Sequence, residues 1–222
     1  MSFQRIPGLI DAHVHLRDPG ATHKEDFYTG SCAALAGGFT YILDMPNNVV
    51  PILTCELLEE KINLAKNKAL CDIGFYFGTN GYNTEEFKKV WDKSDVFGLK
   101  IYCNHTTGEM LIEDSELLEK VFGAWKSEKP ILVHAEGAQL VTALTLAEKY
   151  KKRLHVCHIS QASEVELVRQ AKKKDQRVTA GVCPHHLYYT KDAILEKKDL
   201  ARRTMAEGYF MMKPPLGSQE DQ

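Results

Sequence analysis

Short apolar runs alternate along the chain with longer runs in which apolar residues recur at helical spacing. The short runs, several of them rich in β-branched and aromatic residues, predict seven strands at 7–16, 39–45, 71–77, 97–102, 130–135, 154–159 and 176–182. The longer runs predict helices at 25–36, 54–69, 83–94, 113–126, 138–150, 162–174 and, with many charges, 192–203. This alternation is typical of parallel β/α units and predicts an α/β fold. A doubly wound open sheet and a closed barrel both agree with the strand count.

Local signals set some of the predicted helix ends. Thr54 can cap the second helix, and the pair Gly37-Gly38 ends the first one. No low-complexity linker divides the chain, so we expect a single domain over 1–222.

Composition and charge narrow the class of protein. The chain has 222 residues, 44% hydrophobic and 26% charged, which is ordinary for a globular protein with a sizeable core. The formal net charge of -2 argues against a partner such as nucleic acid or an anionic membrane, because both require a basic face. No apolar run approaches the roughly 20 residues that span a bilayer.

The six cysteines are scattered and form no CxxC pair, which argues against a zinc ribbon or a disulfide framework. The first residues also lack the apolar core of a signal peptide. We therefore expect a cytoplasmic protein.

Histidines concentrate where the predicted strands end. The residues at these positions are His13 and His15 near the end of strand one, His134, His158, and His185 with His186 after strand seven. Two side chains two residues apart on a strand point to the same side, so His13 and His15 can bind one metal ion. Polar residues at the C-terminal ends of parallel strands converge in a barrel, where they are usually functional. His155 fits this pattern less well, and we expect it at the opposite face.

Lys100 lies within an apolar predicted strand, and a buried lysine is costly unless it is paired or neutralised. Carbamylation would turn the amine into a carboxylate that bridges two cations. A carboxylate partner such as Asp44 is the alternative.

Seven segments resemble, in their order along the chain, the dihydroorotases of the amidohydrolase superfamily, especially the dihydroorotase domain of animal multifunctional pyrimidine-synthesis proteins. The segments are 7–20, 22–27, 45–47, 98–102, 133–136, 157–160 and 184–187. A lone HxH motif is weak, whereas this ordered set is specific.

The resemblance implies a TIM-type (β/α)8 barrel, of which this chain holds about seven strands, and a binuclear zinc site. His13 and His15 would hold the first zinc, carbamylated Lys100 would bridge both, and His134 and His158 would complete the second. The implied reaction is the interconversion of N-carbamoyl-L-aspartate and (S)-dihydroorotate in de novo pyrimidine biosynthesis.

The resemblance also implies the residues that hold this small-molecule substrate. Arg17 and Asn47 would bind its carboxylate, Lys213 stands where relatives carry Arg or Asn, and Thr106 would act from a loop that closes over the substrate. A salt bridge of Arg17 with Asp18 or Glu25, and a loop without a catalytic part, are the alternatives.

Besides Lys213, two further departures from the family pattern limit these expectations. Gly181 replaces a glutamate that binds a third zinc in some relatives, so we expect no third zinc, and Cys157 can be a small core residue. The family's eighth strand, with its zinc-binding Asp and the following His-x-Pro-His, is absent from these 222 residues, so we expect a C-terminally incomplete barrel. We therefore expect impaired turnover from these residues alone.

Two other functions agree with the same residues. An allantoinase or dihydropyrimidinase shares the HxH and lysine features, and a catalytically dead homologue could serve as a scaffold or partner subunit. Strands one and seven would be edges if the barrel lacks its last strand, so we expect a homo-oligomer or a partner that pairs with them.

Overall fold

The computed structural model describes residues 4–105, 110–191 and 211–222, and its seven strands confirm the predicted strand count. They are β1 (Leu9–Val14), β2 (Phe39–Asp44), β3 (Asp72–Gly78), β4 (Val96–Tyr102), β5 (Ile131–His134), β6 (Leu154–Val156) and β7 (Val178–Ala180). The helices are α1 (Phe27–Ala36), α2 (Cys55–Lys68), α3 (Phe87–Val90), α4 (Ser115–Ala124), α5 (Gly137–Lys149), α6 (Ala162–Lys173) and α7 (Pro184–Tyr188). None of the helices in the described ranges combines the length and the apolar character that a bilayer crossing requires.

The chain forms two compact units. Of the described residues, the first unit contains 4–101, Met110 and 123–129, and the second contains 102–105, 111–122 and those from Pro130 onward. In the first unit, β1, β2, β3 and β4 pair in chain order and in parallel. In the second, β5, β6 and β7 pair in the same way. Each unit is therefore a run of consecutive β/α units, as the alternating pattern predicted.

Aromatic side chains fill the core of the first unit. Phe77, Phe87 and Trp125 are wholly buried, and their rings meet edge to face with centroids 6.3 and 5.4 Å apart. Aliphatic side chains such as Ile131, Val133 and Leu140 form the core of the second unit.

The helix starts follow local capping chemistry. The Thr54 hydroxyl accepts a hydrogen bond from Leu57 N at 3.2 Å, which confirms the predicted cap of α2. Asp26 caps α1 by accepting from Thr29 N at 2.7 Å, which the sequence reading had not singled out.

Several predicted elements differ from the structure. The third helix, predicted over 83–94, is a 3-10 turn at Thr84–Glu86 followed by the single turn of α3. The strands predicted at 154–159 and 176–182 are each three residues long, and α7 stands where no helix was predicted. Pro184 at the first position of α7 suits a helix start, because it has no N–H to leave unpaired. The helix predicted over 192–203 lies outside the described residues.

Candidate metal and substrate site

In the first unit, His13 and His15 lie together at the end of β1, with ring centroids 5.3 Å apart. His15 Nδ1 and Asn47 Oδ1 are 2.8 Å apart. A carbonyl oxygen only accepts, so Nδ1 carries the proton and Nε2 keeps its lone pair. This is the arrangement of a metal-binding histidine, whose second nitrogen donates to a neighbouring acceptor.

The charge state of His15 suits the same purpose. Burial is the main cause that lowers the pKa of His15 to about 3, and the positive charges of Arg17 and of Lys100 in its amine form add to it. The imidazole is therefore neutral at physiological pH, which is the form that binds metals.

Lys100 is wholly buried in β4, where it stands in register with Gly78 of β3. The carboxylate considered as its partner is engaged elsewhere, because Asp44 forms a buried ion pair with Lys61 at 2.7 Å. Asp44 also accepts from Leu16 N at 2.9 Å. Asp44 therefore has Lys61 as its ion-pair partner.

Lys61 is a site-supporting residue that the sequence analysis missed. Its ammonium lies 2.8 Å from both Met45 O and Asn48 Oδ1, in addition to the Asp44 carboxylate. These acceptors flank Asn47, so Lys61 fixes the segment that presents Asn47 to His15. The sequence does indicate that Lys61 is buried, because it lies between Leu58 and Ala65 at helical spacing and therefore on the apolar face of α2.

Arg17 lies just beyond β1, which ends at Val14. The alternation of side chains along a strand therefore does not determine the side to which Arg17 points. Its backbone is left-handed, with φ of 60°, a conformation that is uncommon for residues other than glycine. The alternative salt bridges are not formed: Asp18 pairs with Lys68 at 2.8 Å, and Glu25 accepts from Thr29 Oγ1. Among the described residues, no carboxylate forms an ion pair with Arg17.

In the second unit, His134 ends β5 as predicted and is buried. His134 Nδ1 and His158 Nε2 are 3.0 Å apart, and their ring centroids are separated by 4.6 Å. At this distance one of the two nitrogens donates its proton to the other, so a hydrogen bond joins the two rings. Asn104 Oδ1 accepts from Glu136 N at 2.7 Å and so ties the segment after β4 to the segment after β5.

The prediction that His158 ends its strand is wrong, because β6 stops at Val156. His158 has a left-handed backbone with φ of 37°. Two other non-glycine residues with positive φ, Lys151 and Asp175, follow the ends of α5 and α6, where this conformation is common. Arg17 and His158 instead follow strands, and strain of this kind concentrates at functional sites.

The other residues named in the sequence analysis differ in their exposure and in their place in the fold. Lys213 is exposed in the second unit, and Thr106 lies outside the described residues. His155 stands in the middle of β6 with its Nδ1 2.9 Å from Thr179 Oγ1, on the neighbouring strand. Cys157 is buried, and a side chain at Gly181 would meet the His155 ring at 3.4 Å.

Comparison with known proteins adds to this geometry. Residues 5–206 match the amidohydrolase family. Multifunctional protein pyr1-3 of Dictyostelium discoideum is 40% identical over 218 residues, which cover 98% of this chain and 9% of that protein. A dihydroorotase of Lactobacillus gasseri is 36% identical over 245 aligned positions, which cover 97% of this chain and 55% of the relative. The chain thus spans about half the length of one relative and less than a tenth of the other.

The structure resembles that of L-hydantoinase (dihydropyrimidinase) from Arthrobacter aurescens, with a TM-score of 0.85 and 25% identity. The match covers 97% of this chain and 53% of the hydantoinase. The predicted fold class, an α/β fold of the TIM-barrel type with seven strands in this chain, is confirmed.

Proposed function

Because the chain belongs to the amidohydrolase family, we propose that it supplies a zinc-dependent site that opens a cyclic amide, with dihydroorotate as the substrate. The related dihydroorotase and multifunctional protein support this choice of substrate. The reaction would interconvert dihydroorotate and N-carbamoyl-aspartate in pyrimidine biosynthesis.

The proposed metal ligands are five side chains: His13, His15, carbamylated Lys100, His134 and His158. When bound, two zinc ions would lower the pKa of a shared water and polarise the substrate carbonyl. The protein's own part is to present neutral imidazoles with fixed orientation, as Asn47 does for His15.

The observation that carries the choice of an acidic substrate is the state of Arg17. Its guanidinium is near enough to His15 to depress the pKa of that imidazole, yet both neighbouring carboxylates have other partners. A guanidinium in this position can bind a substrate carboxylate with two parallel hydrogen bonds. We place the side-chain amide of Asn47 and the ammonium of Lys213 as further donors, and Thr106 at the reacting bond.

A second candidate function follows from the structural likeness to L-hydantoinase (dihydropyrimidinase). Hydantoins and dihydropyrimidines share the cyclic amide with dihydroorotate, but dihydrouracil lacks its carboxylate. The two candidates therefore differ in whether Arg17 contributes to binding.

The test compares Arg17→Gln with Arg153→Gln, which removes the same charge from an exposed arginine. Calorimetry on the zinc-loaded protein measures the affinities for dihydroorotate and dihydrouracil. We expect the protein to prefer dihydroorotate, and Arg17→Gln to lose roughly 10- to 100-fold of affinity for it, the worth of a charged hydrogen bond. Arg153→Gln should keep the preference.

Equal affinity for the two compounds, or a preference for dihydrouracil, would contradict the proposal and favour the dihydropyrimidinase alternative. Binding of neither compound by a protein that holds its zinc would favour a homologue without catalysis. Zinc content, measured on each variant, verifies that the substitutions leave the metal ligands intact.

The same proposal includes a cytosolic location and partner domains. All six cysteines are thiols, which agrees with a reducing cytosol. The likeness to a multifunctional protein supports partner domains that handle the same pathway.

A further inference from the structure

A second group of metal-binding side chains lies after β7, at Cys183, His185 and His186. One donor atom from each residue lies within 4.8 Å of the others. Donors of a tetrahedral zinc site are roughly 3.5 Å apart, given bonds of 2.0–2.3 Å, so a closure of about 1 Å would complete the geometry. None of the three residues belongs to the ligand set proposed above.

His186 is prepared for a cation at one nitrogen. Its Nε2 lies 3.2 Å from Pro214 O, and because a carbonyl only accepts, Nε2 carries the proton. Nδ1 then holds the lone pair, and it is buried with no hydrogen-bond partner among the described residues. The whole side chain is only 7% exposed. A buried acceptor without a partner costs free energy, and a bound cation would recover that cost.

Cys183 and His185 determine which metal ion the group can bind and how that ion reaches it. Cys183 and His185 are partly exposed, so a cation can reach them from solvent. Cys183 is a thiol rather than part of a disulfide. One thiolate and two imidazoles suit Zn²⁺, whereas Mg²⁺ and Ca²⁺ prefer oxygen donors.

We propose that Cys183, His185 and His186 form an additional Zn²⁺ site in the second unit, with a fourth position open to water. Binding releases the proton of the Cys183 thiol, and its sulfur donates an electron pair to the cation.

The experiment titrates the purified metal-free protein with Co²⁺, which reports a thiolate ligand through a charge-transfer band in the near ultraviolet. We expect the band in the unmodified protein and its loss in Cys183→Ser. Cys71→Ser changes another partly exposed cysteine and should keep the band. Zinc content should fall by about one ion per chain in Cys183→Ser and stay unchanged in Cys71→Ser.

A Lys100→Ala variant separates this site from the proposed catalytic one, because it disrupts the latter and should leave the cobalt–thiolate band in place. Circular dichroism verifies that each variant is folded, and His185→Ala provides a second way to weaken the site if Cys183→Ser is unstable. The proposal is overturned if the unmodified protein shows no band, if Cys183→Ser keeps it, or if Cys71→Ser or Lys100→Ala loses it.

Discussion

At the scale of single residues, the first unit contains a buried ion pair between Lys61 and Asp44. Both side chains are 1% exposed, and their charges meet at 2.7 Å. Burying two charges is costly, and the cost is recovered only when hydrogen bonds satisfy the remaining polar atoms. Met45 O, Asn48 Oδ1 and Leu16 N supply these bonds.

We predict that Lys61→Met destabilises the protein by about 3–5 kcal/mol, because it leaves the Asp44 carboxylate buried without its cation. Adding Asp44→Asn should restore part of this loss, since the amide oxygen can still accept from Leu16 N while the charge is gone. Urea unfolding measures the free energy of each variant.

The matched control is Lys93→Met, which breaks a partly exposed pair with Glu59 in the same unit. Exposed pairs contribute at most about 1 kcal/mol, so this variant should unfold near the midpoint of the unmodified protein. Equal losses from Lys61→Met and Lys93→Met would show that burial of the Asp44 pair carries no special cost.

Some residues with unusual chemistry could be identified from the sequence, whereas their partners in the fold could not. The HxH pair and Lys100 stand out because polar residues are rare in apolar strands. The sequence could not show which lysine pairs with Asp44. Only three-dimensional packing shows that Lys61, from a helix, forms an ion pair with that carboxylate.

At the scale of elements, Glu164 organises the start of α6. Its Oε2 accepts from Ser160 N at 3.1 Å and from Gln161 N at 3.3 Å, and the side chain is buried. Burial raises the pKa of Glu164, and the charge of Glu136 adds to the rise, although the backbone hydrogen bonds oppose it. The folded protein therefore holds the Glu164 proton more tightly than the unfolded chain does.

A raised pKa gives stability at low pH that is lost as pH rises through the folded-state pKa. We predict that the stability cost of Glu164→Gln, a mimic of the protonated form, is larger below the ordinary glutamate pKa of about 4.3 than at neutral pH. Glu164→Ala should cost about 1 kcal/mol at neutral pH, because both backbone donors lose their acceptor.

Unfolding curves at several pH values measure these differences, with Glu166→Gln as the control on the exposed side of α6. A cost of Glu164→Gln that grows with pH would contradict the assigned direction of the pKa shift.

The elements themselves were predictable where hydrophobic periodicity was long and regular. The order of strands and the extents of α2, α5 and α6 follow from it. The short elements were not predictable. Only Phe87–Val90 stays α-helical in the stretch predicted as the third helix, and α7 is too short for a periodic signal.

At the scale of the whole molecule, each of the two compact units has features of its own. Arg17 and Lys61 belong to the first unit, and the Cys183 group to the second. The order of the motifs along the sequence predicts which residues carry metal chemistry. It could not divide them between compact units, because that division depends on long-range packing.

The last prediction concerns β1, the outer strand of the first unit. Within the described part of that unit β1 pairs only with β2, and Ile10 on this strand is 65% exposed. An exposed apolar strand edge favours pairing with another chain. We therefore expect self-association that rises with protein concentration in sedimentation velocity, and we expect Ile10→Lys to weaken it. Val141→Lys introduces the same charge on an exposed apolar position of α5 and should leave association unchanged. If the unmodified protein is monomeric throughout, or if the two variants behave alike, β1 is not the associating edge.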